Sequence, residues 1–314
     1  MKTFLIIFVI FQVFLSVNSV EYDKKFFLNI LSRRGAGNVR FFLFTRRNVY
    51  AGQEIPLGDV LTLQRSNLNA SFPVKFLIHG WRGDMDTEFN ERATIEFLIK
   101  DNINVIRVDW SEGADTINYF TAANRVPEIG RQLGRFIDFL HINNFLDFNN
   151  VTIIGFSLGA QVAGHAGKNV ARGKVNKIIG LDPAGPVFNS KDADGRLDYT
   201  DANYVEVIHT NMGFTGMNKL IGHTDFIANS GTHQPGCIDP SCSHHRATKF
   251  YIESINMNPF WARQCVNFTK AMRENCTGEF VRMGDPANPE RNLRGIFSFQ
   301  TNKSPPFSRV IPEI

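Results

Sequence analysis

An α/β domain with a mostly parallel central sheet, covered by helices on both faces, is what this sequence predicts. Three observations lead there. Six short runs are apolar almost throughout, the pattern of strands buried on two sides rather than one. Two longer stretches place apolar residues at helical spacing. Strand-like and helix-like runs alternate, which implies parallel strands joined by right-handed crossovers.

Taken in order, the chain opens with "MKTFLIIFVIFQVFLSVNSV". Lys2 is a positive start, Phe4 to Leu15 an apolar stretch, and Val17-Asn18-Ser19 a small-residue cleavage signal. The stretch falls short of the roughly 20 residues a membrane span needs, so residues 1–19 read as a signal peptide. About 295 residues then remain as a single domain, 20–314. No later run is long enough to cross a bilayer, so an exported protein without a transmembrane segment is expected. The net charge of +4 loses only Lys2 with the leader. Such a mild excess reads as solvated surface charge, and no nucleic-acid partner is expected.

The predicted strands are "VRFFLFT" (39–45), "VKFLIHG" (74–80), "NVIRVDW" (104–110), "VTIIGFS" (151–157), "VNKIIGLDP" (175–183) and "YVEVIHT" (204–210). The predicted helices are "DTEFNERATIEFLIK" (86–100) and "RVPEIGRQLGRFIDFLHINN" (125–144). In such a sheet the working residues gather at the carboxyl ends of the strands. Here those ends carry His79-Gly80-Trp81, Asp109-Trp110, Ser157, Asp182-Pro183 and His209-Thr210.

Ser157 lies between Gly155 and Gly159, after the strand "VTII" and before a helix with Ala160, Ala163, Gly164 and Gly167 at three- and four-residue spacing. That small face lets the helix lie close on the sheet. The flanking glycines suit a strained strand-to-helix turn that exposes a nucleophilic hydroxyl. A serine hydroxyl needs an imidazole to take its proton and a carboxylate to orient that imidazole. With a turn of this kind the chain order is serine, acid, histidine. Asp182 fits as the acid because it ends a buried strand. Asp109 precedes the serine and reads as structural or helix-capping, and Asp225 is a lesser rival. Five histidines follow Asp182: His209, His223, His233, His244 and His245. His244 has the best local setting and His245 is its chief competitor. His209 and His223 read as structural. The oxyanion requires fixed N–H donors, and the backbone N–H groups of Leu158 and Trp81 are the candidates. His79 reads as a brace for its own turn.

All four cysteines come late, and in an exported protein they should pair. Spacing favours Cys237–Cys242 and Cys265–Cys276, and the spacings of a zinc site are absent. Asn69, Asn150, Asn267, Asn275 and Asn302 head glycosylation sequons, with Asn150 the poorest because it abuts a buried strand.

The segments "FLIHGW", "VIRVDW", "GFSLGAQVAGHAGK", "IIGLDPAGP", "YVEVIHT", "GHTDFIANSGTHQPGC" and "CSHHRATKFYIES" together resemble the pancreatic lipase family of the α/β-hydrolase fold. The resemblance implies a triad of Ser157, Asp182 and His244, the histidine following from the spacing of Cys242, His244 and Arg246. It also marks three departures. Only Ile238, Asp239, Pro240 and Ser241 separate Cys237 from Cys242, where long-lid relatives carry roughly twenty residues. The stretch from His209 to His223 is short. The sequence reaches Ile314 without the C-terminal β-sandwich that serves interfaces and colipase, so no colipase is expected. These departures resemble the secreted phospholipase A1 branch found in insects and venoms.

"RLDYTDAN" (196–203) resembles the family's calcium stretch at Arg196, Asp198 and Asp201, although Ala193 replaces the acidic residue expected ahead of it. The hydrolysis itself requires no cofactor. The expectation is a secreted serine ester hydrolase acting on a phospholipid or other glycerolipid at a lipid interface, phospholipase A1 before triacylglycerol or general lipase. A lipid-binding relative without catalysis is the remaining alternative.

Overall fold

Eleven strands join in one sheet in the computed structural model, which describes residues 37–256, 259–283 and 293–309. The expected leader lies outside the described residues. In chain order the strands are β1 Arg40–Phe44, β2 Gln53–Glu54, β3 Val74–Ile78, β4 Asn104–Asp109, β5 Val151–Phe156, β6 Lys177–Leu181, β7 Tyr204–His209, β8 Thr224–Ala228, β9 Phe260–Cys265, β10 Phe280–Met283 and β11 Gly295–Phe299. Across the sheet they run β10-β9-β11-β8-β7-β6-β5-β3-β4-β1-β2. Every pairing from β4 through β3, β5, β6, β7 and β8 to β11 is parallel. Antiparallel pairs close both sides, β2 and β1 against β4 at one and β9 and β10 beyond β11 at the other.

The six predicted strands are β1 and β3 to β7; β3, β5 and β6 end just before His79, Ser157 and Asp182, and β4 and β7 end on Asp109 and His209. Their inner residues are buried because helices cover both faces. On one face Tyr119–Ile142 and Leu158–Asn169 pack with Phe41, Phe76 and Trp110, and the Phe41 and Phe136 rings stack at 3.7 Å. On the other, Glu88–Lys100 and Pro240–Asn256 bury Phe97, Phe250 and Tyr251 with Phe226 and Phe297. Many of the 29 phenylalanines are core residues of this kind.

Two predicted boundaries are corrected. The helix expected over 125–144 begins at Tyr119, where the Asn118 side chain accepts from the N–H groups of Phe120 and Thr121. Pro127 therefore sits inside it, at a position where the lost hydrogen bond and ring clash cost about 3 kcal/mol. The apolar face beyond Pro127, from Ile129 to Leu140, offsets that cost by burial. The four residues between Cys237 and Cys242 do not form one loop either. Pro240 and Ser241 open the helix Pro240–Asn256, leaving Ile238 and Asp239 ahead of it.

Disulfides join Cys237 to Cys242 and Cys265 to Cys276. All five sequon asparagines are exposed, including Asn150 at the end of a short 3-10 turn. Asn302 rather than Asn150 is the encumbered one, since its Nδ2 donates to the Pro306 and Ser308 carbonyls.

Candidate active site

Ser157 holds φ 57° and ψ −120°, a conformation costly for a residue with a Cβ, and begins the helix Leu158–Asn169. Both flanking glycines are sterically required. A Cβ on Gly155 would stand 2.2 Å from the Gly159 carbonyl oxygen, and one on Gly159 would stand 2.4 Å from that of Ile78. The hydroxyl of Ser157 does not cap its helix. A strained turn that holds a hydroxyl without using it structurally leaves that hydroxyl available for chemistry.

Asp182 directly follows β6, beside Ser157, which directly follows β5. The main chain links the two: the Ser157 N–H donates to the Leu181 carbonyl at 3.1 Å, and the Ala184 N–H donates to the Ser157 carbonyl at 3.1 Å. The Asp182 carboxylate is fully buried. One oxygen accepts the N–H groups of Thr210 and Asn211 at 2.8 and 3.0 Å. The other accepts the Nδ1–H of His244 at 2.5 Å. With its proton held at Nδ1, the imidazole presents a lone pair at Nε2. The ring of Phe156, the residue before Ser157, packs on that of His244 with centroids 4.6 Å apart.

The other histidines lie elsewhere. His209 bonds Asp225 at 2.8 Å in a second buried pair, whose carboxylate is also held by the N–H groups of Ile221 and Gly222. His223 accepts the Val205 N–H and stacks on Tyr204. His233 is exposed. His245 donates from Nδ1 to the Ser241 carbonyl, within its own helix, and its ring lies 5.0 Å from that of Phe156.

Trp81 and Leu158 flank Ser157 in the chain and across the neighbouring turn. A Cβ on Gly80 would lie 3.1 Å from that of Ser157, so the turn carrying Trp81 abuts the serine. Among the described residues no acceptor takes the Trp81 N–H. Leu158, as the first residue of its helix, has no intrahelical acceptor for its own. His79 braces the turn: its Nε2 accepts the Trp110 N–H at 3.1 Å, its Nδ1 donates to the Gly80 carbonyl, and its own carbonyl takes the Trp110 indole. Burial alone would raise the neighbouring Asp109 carboxyl, but the His79 imidazole beside it and the Ser111 N–H that donates to it outweigh burial and hold the group at about 2. Asp109 thus stays ionised as a brace, accepting the Ser111 N–H at 3.0 Å.

Arg196, Asp198 and Asp201 come together, but around protein cations. The Lys168 ammonium pairs with Asp201 and donates to the Arg196 carbonyl at 2.9 Å. The Arg196 guanidinium pairs with Asp198 at 3.0 Å. Among the described residues no cluster of three or more acidic, histidine or cysteine side chains is arranged to hold a metal. The residues present do not fit a calcium ion, because an ammonium already occupies their shared donors.

The sequence reading missed the supports. The Thr210 and Asn211 amides that seat Asp182 carry no side-chain signal, since any residue supplies an N–H. Gln234 was equally silent, yet it is fully buried and donates to the Thr210 and Ala228 carbonyls. A buried glutamine beside "GTH" reads from sequence as an ordinary loop residue.

The Lipase family model matches residues 23–307. Lipase member H of Danio rerio is 33% identical over 294 residues, covering 87% of this chain and 64% of that protein. Probable phospholipase A1 magnifin of Vespa magnifica is 39% identical over 235 residues, 69% of each chain. Inactive pancreatic lipase-related protein 1 of Mus musculus is 34% identical over 266 residues, covering 76% of this chain and 55% of that one. The chain thus spans between about half and two-thirds of these relatives' lengths. With a family match over most of its length, and a parallel sheet that turns at Ser157 into its helix, this chain belongs to the pancreatic lipase family.

Proposed function

We propose that the protein is a secreted serine carboxylic ester hydrolase acting on glycerolipids, as a phospholipase A1 that releases the fatty acid at position 1. The observation that carries this reading is the convergence at adjoining strand ends of Ser157 in its strained turn and the buried His244–Asp182 bond of 2.5 Å. Ser157 Oγ attacks the ester carbonyl while His244 Nε2 takes its proton. Asp182 stays ionised, holding the imidazole's tautomer and balancing its charge. The Trp81 and Leu158 N–H groups receive the oxyanion, each contributing roughly 3 kcal/mol to the transition state. His244 returns the proton to the leaving alcohol, and water, activated by the same imidazole, releases the acyl group. No step requires a cofactor.

Phospholipid is favoured over triacylglycerol for two reasons. The Cys237–Cys242 disulfide closes so short a segment that no large apolar lid can fold over Ser157 from it. A cleft without that lid admits a polar headgroup. The similarity to a probable phospholipase A1 points the same way. Export agrees with the two disulfides. The direct test is fatty-acid release from phosphatidylcholine with distinguishable chains and from a triacylglycerol emulsion. Release from position 1 of the phospholipid is expected. Preference for the emulsion would favour the triacylglycerol reading, and silence on both would favour a lipid-binding protein without catalysis.

A lipid interface is also favoured by what surrounds the site. Ile117 is 89% exposed, Phe120 63%, Phe214 60% and Ile238 97%, and all four lie beyond the carboxyl ends of β4, β7 or β8. Two of these outcrops are tied to the segment after Asp182: Tyr119 donates to the Pro186 carbonyl, and Gly185 donates to that of Thr215. Burying one such side chain in lipid is worth about 1.5–3 kcal/mol. Ile117→Asp with Phe214→Asp should therefore weaken binding to phosphatidylcholine vesicles roughly a hundredfold or more. Hydrolysis of a water-soluble short-chain ester should stay unchanged. Co-sedimentation and an ester assay read the two effects separately, and unaltered vesicle binding would remove these residues from the interface.

A further inference from the structure

Lys168 stands in the last turn of the helix Leu158–Asn169, where a cation is favoured by the helix dipole. Its side chain nevertheless turns away from solvent and is 18% exposed. The ammonium reaches the 196–201 segment, pairing with an Asp201 carboxylate that is 1% exposed and donating to the Arg196 carbonyl. The second Asp201 oxygen accepts the Asp198 N–H at 2.8 Å, so the carboxylate is fixed in the segment's own turn. One carboxylate oxygen and one backbone carbonyl converging on a single point are hard-cation donors.

The segment is pressed against the helix. A Cβ on Gly164 would lie 2.6 Å from Leu197 Cα, and one on Gly167 would lie 2.3 Å from the Asp201 carbonyl oxygen. These two glycines, expected to bring the helix onto the sheet, also admit the segment, Gly167 lying against both Ile178 of β6 and Asp201. Gln161 completes the brace, accepting the Leu197 N–H at 2.8 Å and donating to the Ala184 carbonyl at 2.9 Å. The segment therefore supports the helix that begins beside Ser157.

We propose that Lys168 is the resident cation of the 196–201 segment: its ammonium, rather than a divalent metal, joins the Arg196 carbonyl and Asp201 and holds the segment on the helix behind Ser157. The inference is independent of any catalytic role for Ser157. Stability is then indifferent to calcium while Lys168 is present, and its removal exposes a cation site that calcium fills.

The test is thermal unfolding of the full chain in EDTA, in millimolar calcium and in millimolar magnesium. The wild-type melting temperature should be the same in all three. Lys168→Met, which keeps the chain length but removes the charge, should melt roughly 5–10 °C lower in EDTA, as expected for a buried carboxylate left without its partner. Calcium should return at least half of that loss, and should return none of it when Asp201→Asn is added. Calcium stabilisation of the wild type would overturn the proposal, as would a Lys168→Met protein that melts like wild type in EDTA. So would a destabilised Lys168→Met that calcium does not restore, because Lys168 would then be an ordinary ion-pair partner. Should Lys168→Met fail to fold, Lys168→Gln serves in its place. Calorimetric titration of wild type with calcium decides independently, with uptake of calcium overturning the proposal and its absence supporting it.

Discussion

Replacing Ser157 with alanine should abolish hydrolysis of every ester the protein turns over, lowering kcat roughly 10⁵- to 10⁶-fold, while the fold survives intact. The expectation follows from how little else the hydroxyl does. Its helix starts without a side-chain cap, so removing Oγ leaves no backbone donor stranded. Alanine keeps the Cβ, so the strain at φ 57° is neither relieved nor increased. Melting temperature should consequently match that of wild type. Ser157→Gly should be as inactive and more stable by about 1 kcal/mol, because glycine occupies that conformation freely. Turnover in Ser157→Ala above a few thousandths of wild type would sink the nucleophile assignment.

The second large effect belongs to Asp182→Asn, which should lower kcat by about 10⁴ with little change in KM. The carboxylate accepts at both oxygens: two backbone N–H groups on one and the His244 Nδ1–H on the other. An asparagine has one accepting oxygen. Turning that oxygen to the Thr210 and Asn211 amides preserves two bonds and points its NH₂ at His244. The imidazole must then accept at Nδ1 and carry its proton on Nε2, where it cannot take a proton from the serine. The opposite flip would set NH₂ against two N–H donors and lose both bonds. Asp225→Asn supplies the contrast. Its carboxylate is similarly buried and bonded to a histidine, but that pair is His209 with β8, apart from His244. Asp225→Asn should cost stability and leave kcat within a few-fold. Measuring kcat and melting temperature for both variants separates the two pairs, and an Asp225→Asn enzyme as impaired as Asp182→Asn would reverse the assignment of the acid.

Local chemistry made much of the parallel block legible. Runs such as "VTIIGFS" and "VNKIIGLDP" are apolar on both strand faces, which only a doubly covered sheet requires, and they correspond to β5 and β6. The same criterion was blind to the far edge. In β9, "FWARQC", Trp261 and Gln264 are exposed while Phe260, Ala262 and Cys265 are buried, so the strand lacks the continuous apolar character of the parallel ones. It is a strand because it pairs with β11 and β10, not because it is a buried run. β2 is two residues long and exists only by its ladder to β1. The helix start at Tyr119 was hidden by Pro127, which reads locally as a first-turn residue.

The sequence by itself determined the turn at Ser157, because the requirement for Gly155 and Gly159 is set by atoms within a few residues and by the strand alongside. It also determined the order of serine, acid and histidine along the chain. Spacing left open which histidine meets which carboxylate; the resemblance pointed to His244 with Asp182, and only the tertiary structure supplies the physical reason. His244 and His245 are adjacent and chemically identical, and Asp182 and Asp225 both sit at strand edges next to a histidine. A helix rotates successive side chains by about 100°, so the seating of Pro240–Asn256 on the sheet aims His244 at Asp182 and turns His245 to the Ser241 carbonyl. The fate of the 196–201 carboxylates was decided in the same way. Lys168 lies 33 residues before Asp201 in the chain. Its ammonium reaches that carboxylate only because two glycines let the helix and the segment touch.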